Sequence, residues 1–220
     1  MVSISLSDDS WTQAGAAFAK GDLATSLRIF EGLAKQGEWL AYAEIGNLLE
    51  LGGAGVQRDL ERALYWYRRA VFESDDPNAH FALARLFFNG TEVERDYEKA
   101  HYHADKALAA KPPYQLADQY RGMAYVMQGF IYANGQSVIK DLSKARAILT
   151  EGASAGYIWP MFELSALELK RWHIVKWIAL RVKAAKTAAA LLAKNPDDPK
   201  LVGLNSPQVI NRWWARIART

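Results

Sequence analysis

The residues best suited to ligating a metal or moving a proton are four histidines, His80, His101, His103 and His173, and their spacing supports neither role. His101 and His103 stand two apart, which on a helix sets them about 200° from each other. A metal held from one helix face needs ligands four apart. The acidic pairs Asp75-Asp76 and Asp197-Asp198 each precede a proline, which marks turn and cap residues and not a general acid–base dyad. Gly52-Gly53-Ala54-Gly55 lacks the following Lys-Ser/Thr with which a phosphate loop reaches nucleotide and magnesium. No Ser/His/Asp order and no helical H-E-x-x-H is present. The chain has no cysteine, so disulfides and thiolate metal sites are excluded. The expectation is a non-enzyme with no catalytic residues, no metal and no cofactor.

What these residues do instead follows from the elements around them, which repeat. Asp59, Asp96 and Asp141 mark a common register, 37 and 45 residues apart. Four residues after each comes Ala63, Ala100 or Ala145, and seven later Ala70, Ala107 or Gly152. Before each Asp lie Gly52, Gly90 and Gly135, then Val56, Val93 and Val138; upstream are Gly46, Ala84 and Gly129, followed by Leu49, Phe87 and Tyr132. Small residues at these offsets share a helix face where a neighbouring helix crosses closely. The Gly suits a helix C-terminus, and the Asp opens the next helix by accepting from free backbone N–H groups. Each unit reads helix–turn–helix. The longer second interval falls at Lys111-Pro112-Pro113-Tyr114-Gln115, where two prolines forbid a helix, and is read as an insertion.

The unit from Ala41 to Ala70 resembles a Sel1-like repeat, a relative of the tetratricopeptide repeat. The match runs through Ala41, Ile45, Gly46, Gly53, Gly55, Val56, Asp59, Arg62, Ala63, Trp66, Tyr67 and Ala70. The second unit keeps Leu83, Val93, Asp96, Lys99, Ala100 and Ala107 but departs at Ala84 and His103; the third has Ile148-Leu149 where the aromatic pair belongs. The resemblance implies an all-α fold: an α-solenoid of stacked antiparallel helix pairs, wound as a right-handed superhelix, that mediates protein–protein contact as a scaffold, adaptor or regulator of bacterial type. The expected organisation is one solenoid domain over 1–220. It comprises a tetratricopeptide-like unit at 11–37, Sel1-like units at 38–75, 78–108 and 124–156, a degenerate last unit at 157–195 and a capping helix at 205–219. Polar residues before Trp11 are expected to form a short arm.

In such repeats the first helix of each unit lines a concave face. The register places Ala43, Asn47 and Glu50 there, with Phe81, Arg85, Phe88 and Asn89 in the next unit and Val126, Phe130, Asn134 and Phe162 beyond. Aromatic anchors beside amides and an Arg suit a peptide or partner helix, unless the Phe side chains pack between helices. The second candidate surface is basic and Trp-bearing: Arg171, Lys176, Arg181 and Lys183, and Arg212, Trp213, Trp214 and Arg216. It reads either as a contact for nucleic acid or an anionic surface, or as core helices whose basic side chains reach outward. A further alternative, implied by the resemblance, is an immunity protein that neutralises a secreted toxin such as a phospholipase. The leading expectation is a protein or peptide partner of unknown identity, with nucleic acid secondary.

Net charge is +3, but from Ile158 onward eleven Lys and Arg face four Asp and Glu, giving +7, while the preceding residues sum to −4. Such asymmetry suits an electrostatically steered partner. The most apolar window, Trp172 to Ala193, carries Lys176, Arg181, Lys183 and Lys186, so no transmembrane helix is expected. Met1 to Asp9 has neither a basic nor an apolar leader segment, so the expected location is cytoplasmic, or periplasmic if a native signal was removed.

Overall fold

The computed structural model describes residues 4–53, 55–111, 117–170, 173–195 and 198–201. It is all-α, built of stacked helix pairs in two compact units: residues 1–96 with 109–115, and 97–108 with 116–220. The first contains α1 (Ile4–Ala19), α2 (Leu23–Lys35), α3 (Ala41–Leu51), α4 (Leu60–Ser74) and α5 (Pro77–Asn89). The second contains α6 (Tyr97–Ala109), α7 (Asp118–Asn134), α8 (Leu142–Ser154), α9 (Ile158–Lys170), α10 (Ile174–Lys194) and a 3-10 turn, Pro199–Leu201.

Local chemistry starts α4 and α8 where the register places them. Asp59 Oδ1 accepts from Arg62 N at 3.0 Å, and Asp141 Oδ1 from Ser143 N and Lys144 N at 2.9 Å. Asp22 and Asp76 cap α2 and α5 in the same way. These carboxylates satisfy donors that have no partner inside the helix. Asp59, Asp96 and Asp141 also do something that their type does not announce. Their backbone N–H groups donate to the carbonyls of Leu49, Phe87 and Tyr132, at 2.9, 3.1 and 2.9 Å. At Asp59 and Asp141 this clamps the start of α4 to the end of α3 and the start of α8 to the end of α7.

In the first unit α3 packs on α2, α4 and α5 around Ile45, Leu48, Leu49, Tyr67, Leu83 and Leu86. Gly46 faces the ring of Tyr67, where a Cβ would lie 2.6 Å from Cε1, and this contact sets how closely α3 and α4 approach. Ala63 and Ala70, on the same face of α4, are fully buried. In the second unit α9 packs on α7, α8 and α10 around Val126, Leu149, Met161, Leu164 and Ala184.

Two expectations change. The polar N-terminal residues are not an arm: α1 reaches back to Ile4 and takes Ser7, Asp8, Asp9 and Ser10 into the helix. The helix of the third signature begins at Asp118, ahead of the boundary expected at 124, and is tied there by the Tyr157 hydroxyl donating to Asp118 Oδ1 at 2.6 Å. The expected capping helix at 205–219 and the Lys111-to-Gln115 insertion beyond Lys111 lie outside the described residues.

Candidate functional site

The first helices of the repeats bury most of their surface, so what they leave open defines the candidate site. Of α3, only Glu44, Asn47, Glu50 and Leu51 are not buried. The three polar residues are spaced by three, forming one strip along the helix. On α5 the residues not buried are Asn78, Arg85, Phe87 and Asn89, and Phe87 packs against the apolar core. The remaining three share a face, since positions seven and eleven apart return to within about 20°. Leu51, exposed and seven residues beyond Glu44, closes the α3 strip with an apolar side chain; the other open residues of both strips are polar.

A hydrogen-bond network organises them. Tyr67, on α4 and fully buried, brings its hydroxyl 2.8 Å from Glu50 Oε2 and 2.9 Å from Asn47 Oδ1. A phenol has one hydrogen, and the carboxylate is the stronger acceptor, so the proton goes to Glu50. Arg85 on α5 completes the arrangement, its guanidinium donating to Glu50 Oε1 at 2.5 Å. One carboxylate thus joins α3, α4 and α5. Glu44, six residues earlier on α3, is different. It accepts only from Asn47 Nδ2, at 3.5 Å, and no cation pairs with it among the described residues. Burial raises its pKa above the usual carboxylate range; the Asn47 hydrogen bond works against this and the nearby Asp76 carboxylate adds to it.

Asn47, Glu50, Arg85 and Asn89 therefore stand on the open strips. Phe81 and Phe88 do not: at 3 % and 6 % exposed they lie in the interior, 60–80° around α5 from the middle of the open strip by the helical geometry, and present no anchor to a partner. Ala43 and Val126 are buried as well. The register was sound to the helix but not to the 60° that separates a lining from a core position. Glu44 and Asn78 were missed, although the i, i+3 spacing of Glu44, Asn47 and Glu50 carried the signal.

In the second unit Phe130 is half-buried beside Tyr97, with ring centroids 6.4 Å apart, and Asn134 is exposed with its amide donating to the Phe130 carbonyl. Phe162 is half-buried beneath Arg181, whose guanidinium carbon lies 4.9 Å from the ring centroid. Arg181 also donates to Ser165 Oγ at 3.0 Å and lies over Trp177, so it serves packing between α9 and α10. Lys176 and Lys183 are exposed on α10; Arg171, Arg212, Trp213, Trp214 and Arg216 lie outside the described residues. His101, half-buried, lies with Nδ1 2.6 Å from Gln128 Oε1 and Nε2 3.3 Å from the Tyr132 hydroxyl. With Gln128 Nε2 donating in turn to the His101 carbonyl, these contacts tie α6 to α7 and give His101 a structural role. Glu168, 4 % exposed, pairs with Arg146 at 2.9 Å and His173 at 2.7 Å, joining α8 and α9 to the start of α10. Burial pushes its carboxyl up, but the His173 hydrogen bond and the Arg146, Lys176 and His173 charges outweigh it and leave the pKa below the ordinary value.

Among the described residues no three His, Cys, Asp or Glu side chains converge to hold a metal, and no helix is long and apolar enough to cross a membrane. The family model described as Sel1 repeat matches residues 39–71, 77–111 and 122–157. An uncharacterised protein of Neisseria meningitidis serogroup B is 29 % identical over 137 residues, 62 % of this chain and 26 % of that protein. The ERAD-associated E3 ubiquitin-protein ligase component HRD3B of Arabidopsis thaliana is 27 % identical over 128 residues, 58 % of this chain and 18 % of that protein. The chain thus spans about a quarter or less of the length of either relative. Among solved structures, a Sel1 repeat protein from Oxalobacter formigenes superposes with a TM-score of 0.64 at 22 % identity, covering 94 % of this chain and 85 % of the other. The matched repeats are of a non-catalytic helical fold that generally mediates protein–protein contact.

Proposed function

We propose that this chain, a Sel1-repeat protein, acts as an adaptor or regulator that binds a protein segment along the polar strips of α3 and α5. The observation that carries the reading is the Tyr67–Glu50–Arg85 network. It holds a carboxylate and a guanidinium in place before any partner arrives, which lowers the ordering cost of binding. Asn47 carries on the α3 strip an amide that can bond a peptide backbone in either sense. Glu44, without a cation of its own, favours a partner that brings a Lys or Arg side chain. The contact is accordingly mainly polar, with amide and charge recognition beside the exposed Leu51 in the place of the aromatic anchors expected from the register.

The test is site-specific photo-crosslinking in the native host, with a benzophenone amino acid at Asn47, at Asn89 and, as a control, at the exposed Glu61 on α4. A discrete adduct from Asn47 and Asn89 that is absent from Glu61 and is lost in Arg85→Glu supports the strips as the contact. Adducts from Glu61 alone, or adducts insensitive to Arg85→Glu, refute it.

A further inference from the structure

Among the described residues, one helix face in the second unit stands exposed. On α10, Val175, Ile178, Val182, Ala185, Ala189 and Leu192 are all exposed, Val175 by 81 % and Val182 by 47 %. Their spacing alternates three and four, the a/d pattern with which one helix seats another. At 100° per residue these six occupy an arc of about 100°. Lys186, Lys183 and Lys176, all exposed, occupy the next arc of about 80°. The opposite side, with Ala184 buried and Trp177 and Leu180 half-buried, packs on α9. This outer face is therefore an apolar stripe with a cationic border, not a solvated surface.

We propose that the outer face of α10 docks an acidic amphipathic helix from a protein partner. Charge selects the occupant. Helix α10 carries five Lys and Arg and no Asp or Glu, so a second copy laid on it would bring like charges together. The chain's own last residues fare no better, since from Pro199 onward they hold Lys200, Arg212, Arg216 and Arg219 and no acidic residue. A partner helix with Glu or Asp beside its apolar seam would neutralise the lysine border, as e and g charges do in paired helices. A protein helix is favoured over a lipid surface by the side chains of the stripe. They are Val, Ile, Ala and a single Leu, with two alanines that allow close helix approach, whereas membrane-surface helices present Trp, Phe and Leu; here Trp177 is turned inward against Arg181. This surface is separate from the strips on α3 and α5, and either can hold without the other.

The experiment uses the full chain and a labelled synthetic peptide of about three heptads, with Leu at a and d and Glu at the flanking positions. Anisotropy at about 50 mM salt reads the binding. Saturable binding is expected, weakened at least ~10-fold by Val182→Glu, several-fold by Lys183→Glu with Lys186→Glu, and absent for the Lys-for-Glu peptide. Because these side chains are exposed, circular dichroism should show unchanged folding; should Val182→Glu unfold, the lysine pair still reads the contact. Equal binding by the variants overturns the proposal, as does failure of the Glu peptide to bind. So does binding to phosphatidylglycerol vesicles in place of the peptide, a dimer in sedimentation that Val182→Glu dissolves, or peptide binding seen only after residues 202–220 are removed.

Discussion

Two glycines inside helices predict opposite outcomes for the same substitution. Gly32, in α2, has nothing within 4 Å of an added Cβ and an ordinary helical backbone. Gly32→Ala should then show the plain propensity gain, about 0.8–1 kcal/mol. Gly46, in α3, would place that Cβ 2.6 Å from Tyr67 Cε1, 2.7 Å from Cδ1 and 3.1 Å from Cζ. Ordinary contact begins near 3.4 Å, so ring and helix must separate by about 0.8 Å. The ring cannot yield easily, because it is fully buried and its hydroxyl is held by Glu50. Overpacking of this kind costs about 1–3 kcal/mol, and the tethered ring argues for the upper half of that range. After the propensity gain of about 1 kcal/mol, Gly46→Ala should destabilise by about 1–2 kcal/mol. Urea unfolding followed by circular dichroism should move the two midpoints in opposite directions. A second readout is the double variant Gly46→Ala with Tyr67→Leu, which removes the clash and should be non-additive by more than ~0.5 kcal/mol. If Gly46→Ala stabilises as much as Gly32→Ala, the close approach of α3 and α4 is not what selects glycine there.

Two carboxyl groups predict opposite pH dependences. Burial raises the pKa of Glu44 in the fold; the stability tied to its neutral form is full below its unfolded value of about 4.3 and is lost as pH rises through the folded one. Glu44→Gln should therefore be more stable than the wild type at pH 7 and lose that advantage towards pH 4, while weakening a cationic partner at the α3 strip; a constant difference in urea midpoint across that range would count against the burial. Glu168 is lowered in the fold, so its contribution is present above about pH 4.3 and falls away as pH drops through the folded value. Glu168→Gln should cost about 1.5–3 kcal/mol at pH 7, the range for a hydrogen bond to a charged group, and the gap should close on acidification; an equal loss at pH 3 and pH 7 would show that shape and not charge matters there.

The repeat was legible because its determinants are local. Asp59 and Asp141 accept from backbone N–H groups two or three residues on, and Gly90 and Gly135 each follow the last helical residue. No knowledge of neighbouring helices is needed for these. The small residues at Gly46, Ala63 and Ala70 were legible for a related reason: one face of a helix must meet the next element, and the smallest residues mark the place. Phe81 and Phe88 were misread because an aromatic beside a polar strip looks the same in sequence whether it turns outward or in. About 60–80° of rotation decides it, and that rotation is set by how α5 packs on its neighbours.

Residue order by itself determined the class of fold and the caps and turns of the repeats, since each depends on residues within a few positions of one another. Only tertiary structure decided which side chains remain available. Tyr67, Glu50 and Arg85 come from three helices and are separated by 17 and 35 residues from Glu50, yet they share hydrogen bonds. The apolar stripe of α10 likewise reads in sequence as one more core face. Its exposure follows from α10 packing on α9 through the opposite side, a choice made by contacts between helices and not within one.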